Sequence, residues 1–296
     1  MTQKTVLVTG CSSGFGHLLV HRMLKRGWHV VATMRRANER RDLITSTESG
    51  SAGNLTVLEL DVTRSEDLAK AAAFVQGKCQ GSLDALVNNA GYGLFGALEE
   101  LTEGQLRDQM EVNFFGVALL TRALLPYLRA SRGRVVNISS VFGYTGMPLT
   151  AAYCASKFAL EGLSEALYHE LRPHGVQVAV VQPGGHRTRF GQNSRWSNDR
   201  CSTYGVQRAN YQNLQSKLMT RKAVSADHVA AIAEKLLLCP VMPLRVRAGR
   251  DAAVAHWLRR LLPEFLSLAV TSRVYDRIFT NPVAVPSLPS SLEIQP

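Results

Sequence analysis

Residues 4–16 read Lys-Thr-Val-Leu-Val-Thr-Gly-Cys-Ser-Ser-Gly-Phe-Gly and join a predicted strand to a predicted helix. The short β-branched apolar run that ends at Thr9 is typical of a buried strand, and the leucine and methionine spacing after Gly16 is that of a helix. Glycines let the backbone turn tightly and approach a pyrophosphate, which then lies at the positive end of the helix. The spacing is G-x-x-x-G-x-G, not G-x-G-x-x-G. The segment predicts a dinucleotide-binding fold, with a flexible turn as the alternative.

Strands and helices alternate along the chain. Strands are predicted near residues 4–9, 28–33, 55–60, 84–88, 134–138, 176–182 and 243–248, and helices near 15–26, 65–78, 103–129, 151–172 and 226–238. This alternation predicts an α/β fold with one Rossmann-type doubly wound, mainly parallel sheet and helices on both faces. We expect a catalytic domain over 1–249 that includes a basic lid at 183–225. C-terminal amphipathic helices are expected over 250–286, and a disordered tail over 287–296.

The length and composition of the chain agree with a single globular domain. The chain has 296 residues and is 46% hydrophobic, which suits one globular core. The first strand begins almost at Met1, so no signal peptide is expected, and no apolar run reaches the ~18 residues of a spanning helix. The five scattered cysteines form no C-x-x-C pair, and no histidine cluster indicates a metal. These features predict reduced thiols, no metal and a cytoplasmic location.

A second group of residues indicates acid–base chemistry. Tyr153 and Lys157 are four residues apart, so a helix would place them on one face, and Ser140 lies thirteen residues upstream. An ammonium beside a phenol favours the charged phenolate and is expected to lower the tyrosine pKa toward neutrality. Such a tyrosine can exchange a proton with an alcohol oxygen.

Taken together, these motifs resemble the short-chain dehydrogenase/reductase family, and in particular its hydroxysteroid and retinol dehydrogenase branch. The resemblance covers roughly residues 4–190. It rests on motifs in family order: Thr9-Gly10-x-x-x-Gly14-x-Gly16, Asp61, Asn88-Asn89-Ala90-Gly91, Asn113, Ser140, Tyr153-x-x-x-Lys157 and Pro183-Gly184.

The resemblance implies roles for individual residues. Tyr153 would be the general acid or base, Ser140 would hold the substrate oxygen, Lys157 would assist Tyr153 and hold the nicotinamide ribose, and Asn113 would anchor a water in a proton relay. Asp61 would bond the adenine edge, and Thr188 the carboxamide. The expected cofactor-binding residues are Gly10, Ser12, Ser13, Gly14, Phe15, Gly16, Arg35, Asp61, Asn89, Tyr153, Lys157, Pro183 and Thr188. His186 stands where the family often has valine, and it is expected to be solvated or to contact substrate.

The residues that follow the second predicted strand indicate which cofactor the protein binds. Met34 stands where an acidic residue would select NAD, and Arg35 can pair with the 2′-phosphate of NADP, with Ser13 as a second contact. We therefore expect NADP(H) rather than NAD(H), with a solvated Arg35 as the alternative.

The lid and the C-terminal part carry the most individual sequence. Residues 182–222 hold eight Lys or Arg against one acid, Asp199, which is +7 of the chain's +11. A basic lid could steer an anionic or carrier-bound substrate, or be solvated surface; no nucleic-acid motif accompanies it. The segment over 250–280 reads as two amphipathic helices that meet at Pro263. They could close an apolar pocket, pair subunits, contact a membrane peripherally or pack on the core.

The sequence thus predicts an NADP(H)-dependent oxidoreductase that interconverts a carbonyl and an alcohol on a small apolar substrate of steroid, retinoid, fatty or polyketide type. A homodimer or homotetramer is expected from the family. The alternatives are an NAD-dependent alcohol dehydrogenase and a non-enzymatic NADP(H)-sensing regulatory protein.

Overall fold

The computed structural model describes residues 3–37, 54–187, 190–218 and 224–280. The strands within these ranges are β1 Thr5–Val8, β2 His29–Met34, β3 Leu55–Glu59, β4 Ala85–Asn88, β5 Leu94–Phe95, β6 Arg134–Ile138, β7 Gln177–Pro183, β8 His186–Arg187, β9 Arg195–Trp196, β10 Val224–Ser225 and β11 Arg245–Ala248. The helices are α1 Gly14–Lys25, α2 Ser65–Lys78, α3 Glu103–Met110, α4 Gly116–Ser131, α5 Ala151–Leu171, α6 Phe190–Asn193, α7 Gly205–Leu218, α8 Ala226–Leu238, α9 Arg250–Leu261 and α10 Glu264–Phe279.

The central sheet has seven strands in the order β11-β7-β6-β4-β1-β2-β3, and each of its neighbouring pairs is parallel. Successive side chains of a strand point to opposite faces, so Val6 and Val8 pack under α1 and α8 while Leu7 packs under α2, α4 and α5. Both faces are therefore covered by helices. The predicted Rossmann-type doubly wound fold is confirmed.

The strand order positions the site. From β1 the chain winds outward through β2 to β3 and then returns to β4 on the other side of β1. The loops that follow β1 and β4 consequently diverge at the carboxyl edge of the sheet, which is where open α/β sheets bind ligands.

The long helix predicted over 103–129 has an interruption. A π-helical turn, Glu111–Phe115, lies between α3 and α4. Such turns are often found at functional sites, and this one carries Asn113.

The segment between β7 and α8 contains structure that the sequence pattern did not predict, chiefly α7. After β11, α9 and α10 meet at Pro263, which caps the start of α10. Among the described residues, no helix combines the length and the hydrophobicity needed to span a membrane. The tail predicted to be disordered, 287–296, lies outside the described residues.

Candidate active site

A cavity of about 980 Å³ opens along the carboxyl edge of the sheet. The loops that follow β1, β2, β3, β4, β6 and β7 all contribute to its wall. The predicted site residues that line it are Gly10, Ser12, Ser13, Gly14, Phe15, Arg35, Asp61, Asn89, Ser140, Tyr153, Lys157 and Pro183. The fold therefore brings together residues as distant in the chain as Gly10, after β1, and Pro183, at the end of β7.

The glycine turn leaves room for backbone only. Gly10 has φ +70°, and a Cβ there would lie 2.8 Å from the Ala90 Cα. Gly14 has φ +63°, and a Cβ on Gly16 would lie 2.5 Å from the Asn89 amide nitrogen. Ser13 is the N-cap of α1, yet its side chain accepts no hydrogen bond from the helix, so the first amides of α1 are not capped by it. An amide-rich helix end without a side-chain cap, bordering a cavity, fits a dinucleotide phosphate.

Asn89 supports this turn from below. Its side-chain amide donates to the carbonyl oxygens of Thr9 at 2.8 Å and Gly10 at 3.1 Å, while the Thr9 hydroxyl accepts from the Asn89 and Ala90 backbone amides. Asn89 lines the cavity, but its side-chain N–H groups bind the backbone of the glycine turn.

Arg35 and Asp61 line the cavity just after the ends of β2 and β3. Met34 is buried at the end of β2, and the exposed Arg35 follows it at the cavity wall. Asp61 accepts from the backbone and hydroxyl of Thr63 at 3.0 and 2.8 Å through one carboxylate oxygen, Oδ1.

Ser140, Tyr153 and Lys157 meet in the middle of the cavity, all with less than a tenth of their surface exposed. The Ser140 hydroxyl accepts from the Phe142 amide at 3.2 Å and is the side-chain hydroxyl that lowers the pKa of the Tyr153 phenol. The Lys157 ammonium lies 5.9 Å from the centroid of the Tyr153 ring and donates to the Ile138 carbonyl oxygen at 2.9 Å. Ser139, by contrast, has a buried hydroxyl with no hydrogen-bond partner, and of the two serines it is Ser140 that affects the Tyr153 pKa.

Burial controls the protonation of this group. It raises the pKa of Tyr153 well above the usual value, an effect that the Ser140 hydrogen bond only partly offsets. Burial also lowers the pKa of Lys157 to about 8, with the Glu161 carboxylate opposing that change. The expected drop of the Tyr153 pKa toward neutrality is therefore wrong for this structure, because desolvation of the buried phenolate outweighs the opposing effect of the Ser140 hydroxyl.

Asn113 is fully buried in the π-helical turn. Its side-chain amide donates to the Tyr92 carbonyl oxygen at 3.0 Å and to the Ser156 hydroxyl at 3.1 Å, and its carbonyl accepts from the Tyr92 amide at 3.1 Å. Both N–H groups of this side chain bind protein, so it ties the strand-end loop at Tyr92 to α5.

Strand β7 ends at Pro183, and His186 begins β8 after Gly184 and Gly185; Thr188 lies outside the described residues. His186 is buried, not solvated, because its ring stacks on His228 at 5.7 Å and meets the edge of Phe15 at 5.9 Å. Burial lowers the pKa of His186, and its hydrogen bond to the Gly184 carbonyl and the nearby Asp251 partly oppose this.

An aromatic wall surrounds Tyr153 beyond these predicted residues. The rings of Phe95, Phe142 and Phe190 lie 6.3, 6.1 and 5.6 Å from the Tyr153 ring. Tyr211 of α7 packs on Phe95 and stacks on Phe279 at the end of α10. These residues come from separate segments and share no periodic pattern, which is why the sequence did not identify them.

Two arginines of the basic segment are ion-paired. Arg208 is buried against the Glu100 carboxylate, and Arg195 pairs with Asp108 at 3.3 Å while stacking over the Tyr92 ring at 4.8 Å. Arg189, Arg221 and Lys222 lie outside the described residues. No group of three or more potential metal ligands occurs among the residues that the structure describes.

A doubly wound sheet with a glycine turn, and a serine, tyrosine and lysine in one cavity, defines a dinucleotide-dependent oxidoreductase. The family model for short chain dehydrogenases matches residues 4–199. The chain belongs to this family, as its motifs led us to expect.

Individual relatives place the chain more closely. It is 41% identical over 194 residues to a 3-ketodihydrosphingosine reductase of Bacteroides thetaiotaomicron, a match covering 65% of this chain and 68% of the relative. It is 39% identical over 191 residues to retinol dehydrogenase 8 of Homo sapiens, covering 63% and 60% of the two chains. The predicted resemblance to the retinol dehydrogenase branch is confirmed.

Solved structures agree with this placement. A short-chain dehydrogenase from Streptomyces avermitilis superposes with a TM-score of 0.78 at 36% identity, covering 92% of this chain and 98% of that one. A metagenomic short-chain oxidoreductase in complex with NADP superposes with a TM-score of 0.65 at 27% identity, covering 83% and 97%.

Proposed function

We propose that this protein is an NADP(H)-dependent oxidoreductase that interconverts a carbonyl and an alcohol on an apolar substrate, with Tyr153 as general acid or base. The observation that carries the proposal is that buried Ser140, Tyr153 and Lys157 meet in one cavity that runs from the glycine turn to an aromatic wall. Bound NADP(H) would supply or accept the hydride at the substrate carbon.

The cofactor would lie along the glycine turn and the first turn of α1. Gly10, Ser12, Ser13, Gly14, Phe15 and Gly16 would surround its phosphates, and Asn89 would support them by holding the turn. Arg35 would pair with the 2′-phosphate, and Asp61 has a second carboxylate oxygen for the adenine edge. Exposed Arg35 at the cavity wall, the apolar Met34 before it and the NADP complex of the metagenomic relative support NADP(H) over NAD(H).

The three central residues would divide the proton chemistry. Burial keeps Tyr153 protonated, which suits a general acid that gives its proton to the oxygen of a carbonyl being reduced. Ser140 would donate to the same oxygen as negative charge develops on it. With a pKa of about 8, Lys157 is mostly a cation at neutral pH and would stabilise the phenolate left by the proton.

Asn113 and the loop after β7 would hold this arrangement. Because the Asn113 side chain binds Tyr92 and Ser156, we propose that it positions α5. Its side-chain oxygen accepts one hydrogen bond and has a second lone pair, so we also propose Asn113 as the anchor of a relay water. Pro183 and, by family analogy, Thr188 would contact the nicotinamide carboxamide.

The pocket wall supports an apolar substrate. Phe95, Phe142 and Phe190 line the cavity next to Tyr153, and Met147 and Leu214 continue this apolar wall. Arg195 also lines the cavity and supports the alternative of a substrate with an anionic or carrier-bound end, although its pairing with Asp108 reduces its free charge.

Partners and location are also proposals. Exposed Phe115 and Phe158, on the helical layer that members of the family use for pairing, support a homodimer or homotetramer.

On α9, Val254, Trp257 and Leu261 share one face and are exposed by 66%, 51% and 72%, beside Arg259 and Arg260. An apolar stripe with tryptophan and arginine supports peripheral contact of a cytoplasmic protein with an anionic membrane.

Titration with NADPH and with NADH, followed by nucleotide fluorescence, tests the cofactor proposal. We expect tighter NADPH binding, and a Kd for NADPH that rises roughly tenfold to hundredfold in Arg35→Ala, since a charge-assisted hydrogen bond contributes about 1.5–3 kcal/mol. Arg64→Ala, an exposed arginine after β3 that does not line the cavity, is the control. Equal affinity for both nucleotides would contradict the NADP(H) proposal and favour an NAD-dependent alcohol dehydrogenase. Tight NADPH binding without turnover of any carbonyl would favour the sensor.

A further inference from the structure

The start of α9 lies against the loop that follows β7. Strands β7 and β11 are parallel neighbours and end together, with Ala248 opposite Pro183. The Gly184 amide donates to the Ala248 carbonyl at 2.9 Å. One residue further, the Gly185 amide donates to a carboxylate oxygen of Asp251 at 2.5 Å. The C-terminal segment thus reaches the cavity, whose wall includes Asp251.

The surrounding backbone is shaped to admit this carboxylate. A Cβ on Gly184 would collide with both Asp251 oxygens, and a Cβ on Gly249 would lie 2.5 Å from Oδ1. Gly249 also has φ +108°, which side-chain-bearing residues rarely adopt. Two glycines on separate strand ends are therefore required by one acidic side chain.

The first turn of α9 is also hydrogen-bonded to the loop that follows β6 and carries Ser140. The Tyr144 hydroxyl donates to the Ala252 carbonyl oxygen at 2.7 Å, and Tyr144 follows the 3₁₀ turn Val141–Gly143 that begins after Ser140. The first turn of α9 consequently joins the loop that carries Ser140 to the loop proposed to hold the nicotinamide. An acidic residue in a first helical turn also stabilises the helix dipole, so a purely local role is the alternative.

We propose that Asp251 is a positioning residue for hydride transfer: its carboxylate fixes the Gly184–Gly185 turn where that turn would contact the nicotinamide half of the cofactor. This inference rests on the proposed function. A hydrogen bond from a backbone amide to a carboxylate is short and strong. This bond is exposed, so losing it replaces a fixed acceptor with mobile water and leaves the turn free to shift. Because hydride transfer depends on close placement, a shift of about 1 Å is enough to slow it ~100-fold.

The test compares Asp251→Ala, Asp251→Asn and the control Asp276→Ala, which removes an exposed carboxylate from α10. Hydrogen exchange of the 183–187 segment is measured in the ligand-free protein. The other measurements are kcat, the KM for NADPH, and the Kd for adenosine 2′,5′-bisphosphate, which lacks the nicotinamide.

For Asp251→Ala we expect faster exchange at 183–187 and a kcat lowered roughly 10- to 100-fold. Affinity for the bisphosphate should stay within about threefold, because the adenosine end is untouched. The asparagine oxygen can still accept from Gly185, so Asp251→Asn should recover most of kcat, and Asp276→Ala should match wild type.

Three results would overturn the inference. Unchanged exchange and kcat in Asp251→Ala would leave Asp251 only its helix-terminal role. An equal loss of bisphosphate affinity would show general disruption of the site. If wild type neither binds NADPH nor turns over a carbonyl, the proposed function itself fails, a result distinct from a working enzyme that does not need Asp251.

Discussion

Replacing Lys157 with methionine should stabilise the fold while removing activity. Lys157 is buried, and its pKa is lowered from 10.5 to about 8, so at pH 7 the folded protein holds a poorly solvated ammonium. The pKa difference corresponds to about 3 kcal/mol of lost stability. Methionine removes that cost but also the hydrogen bond to Ile138, which contributes about 1 kcal/mol. The variant should therefore be about 2 kcal/mol more stable at pH 7.

The extra stability of Lys157→Met over wild type must depend on pH in a defined direction. The folded pKa of this base is lowered, so the cost is fully present below about pH 8 and disappears as pH rises toward 10.5. At pH 9.5 the wild type should have recovered about 2 kcal/mol, which closes the gap between the two proteins. Other groups that titrate in this range, such as thiols, are common to both proteins and cancel in the comparison.

Urea unfolding of both proteins at pH 7 and pH 9.5 measures how the difference between their unfolding free energies changes with pH. Lys235→Met, at an exposed position of α8, is the control, and its difference from wild type should not change with pH. A Lys157→Met protein that is no more stable than wild type at pH 7, or whose gap is the same at both pH values, would refute the assignment of Lys157 as a buried cation. Lost turnover in the same variant would show that the site is kept at the expense of stability.

Three other predictions test separate parts of the structure. Ser140→Ala should lower kcat by about 10²–10³ with unchanged NADPH affinity, measured by steady-state kinetics and titration, and an unchanged kcat would remove the oxyanion role. Glu100→Gln leaves the buried Arg208 without its counter-charge and should lower the free energy of unfolding by about 3–5 kcal/mol in urea; a loss below about 1 kcal/mol would show that the pair is solvated. Trp257→Ser should reduce sedimentation with anionic liposomes, whereas Leu98→Ser, equally apolar and 62% exposed, should not; equal pelleting of wild type and Trp257→Ser would contradict membrane contact through α9.

The elements with strong local patterns were predictable. All seven sheet strands lie where apolar runs placed them, and helical spacing located the helices near 15–26, 65–78, 151–172 and 226–238. The helix predicted over 103–129 is interrupted by the π-helical turn Glu111–Phe115. The glycine turn and the Tyr153–Lys157 pair were predictable for the same reason. Each spans only a few residues, so a loop or a single helical turn sets its geometry. The family likeness then connected these pieces in chain order.

Features that depend on burial or on distant partners were not predictable. The direction of the Tyr153 pKa depends on desolvation, which no spacing reveals. Arg208 reads as one more basic lid residue, and only the fold brings Glu100 to it from 108 positions away. Asp251 reads as an ordinary helix start, yet it contacts Gly185 across 66 positions.

The most direct test of the account compares Tyr153→Phe with wild type in two assays on one preparation: NADPH titration, and NADPH oxidation at 340 nm with a panel of apolar ketones and aldehydes. Phenylalanine keeps the ring packed against Phe95, Phe142 and Phe190 and removes only the hydroxyl that we propose gives the proton. We predict that wild type oxidises NADPH with at least one carbonyl, and that the variant binds NADPH with an affinity within about threefold of wild type while its kcat falls by at least ~10²-fold. Turnover by Tyr153→Phe at the wild-type rate would contradict the central role of Tyr153.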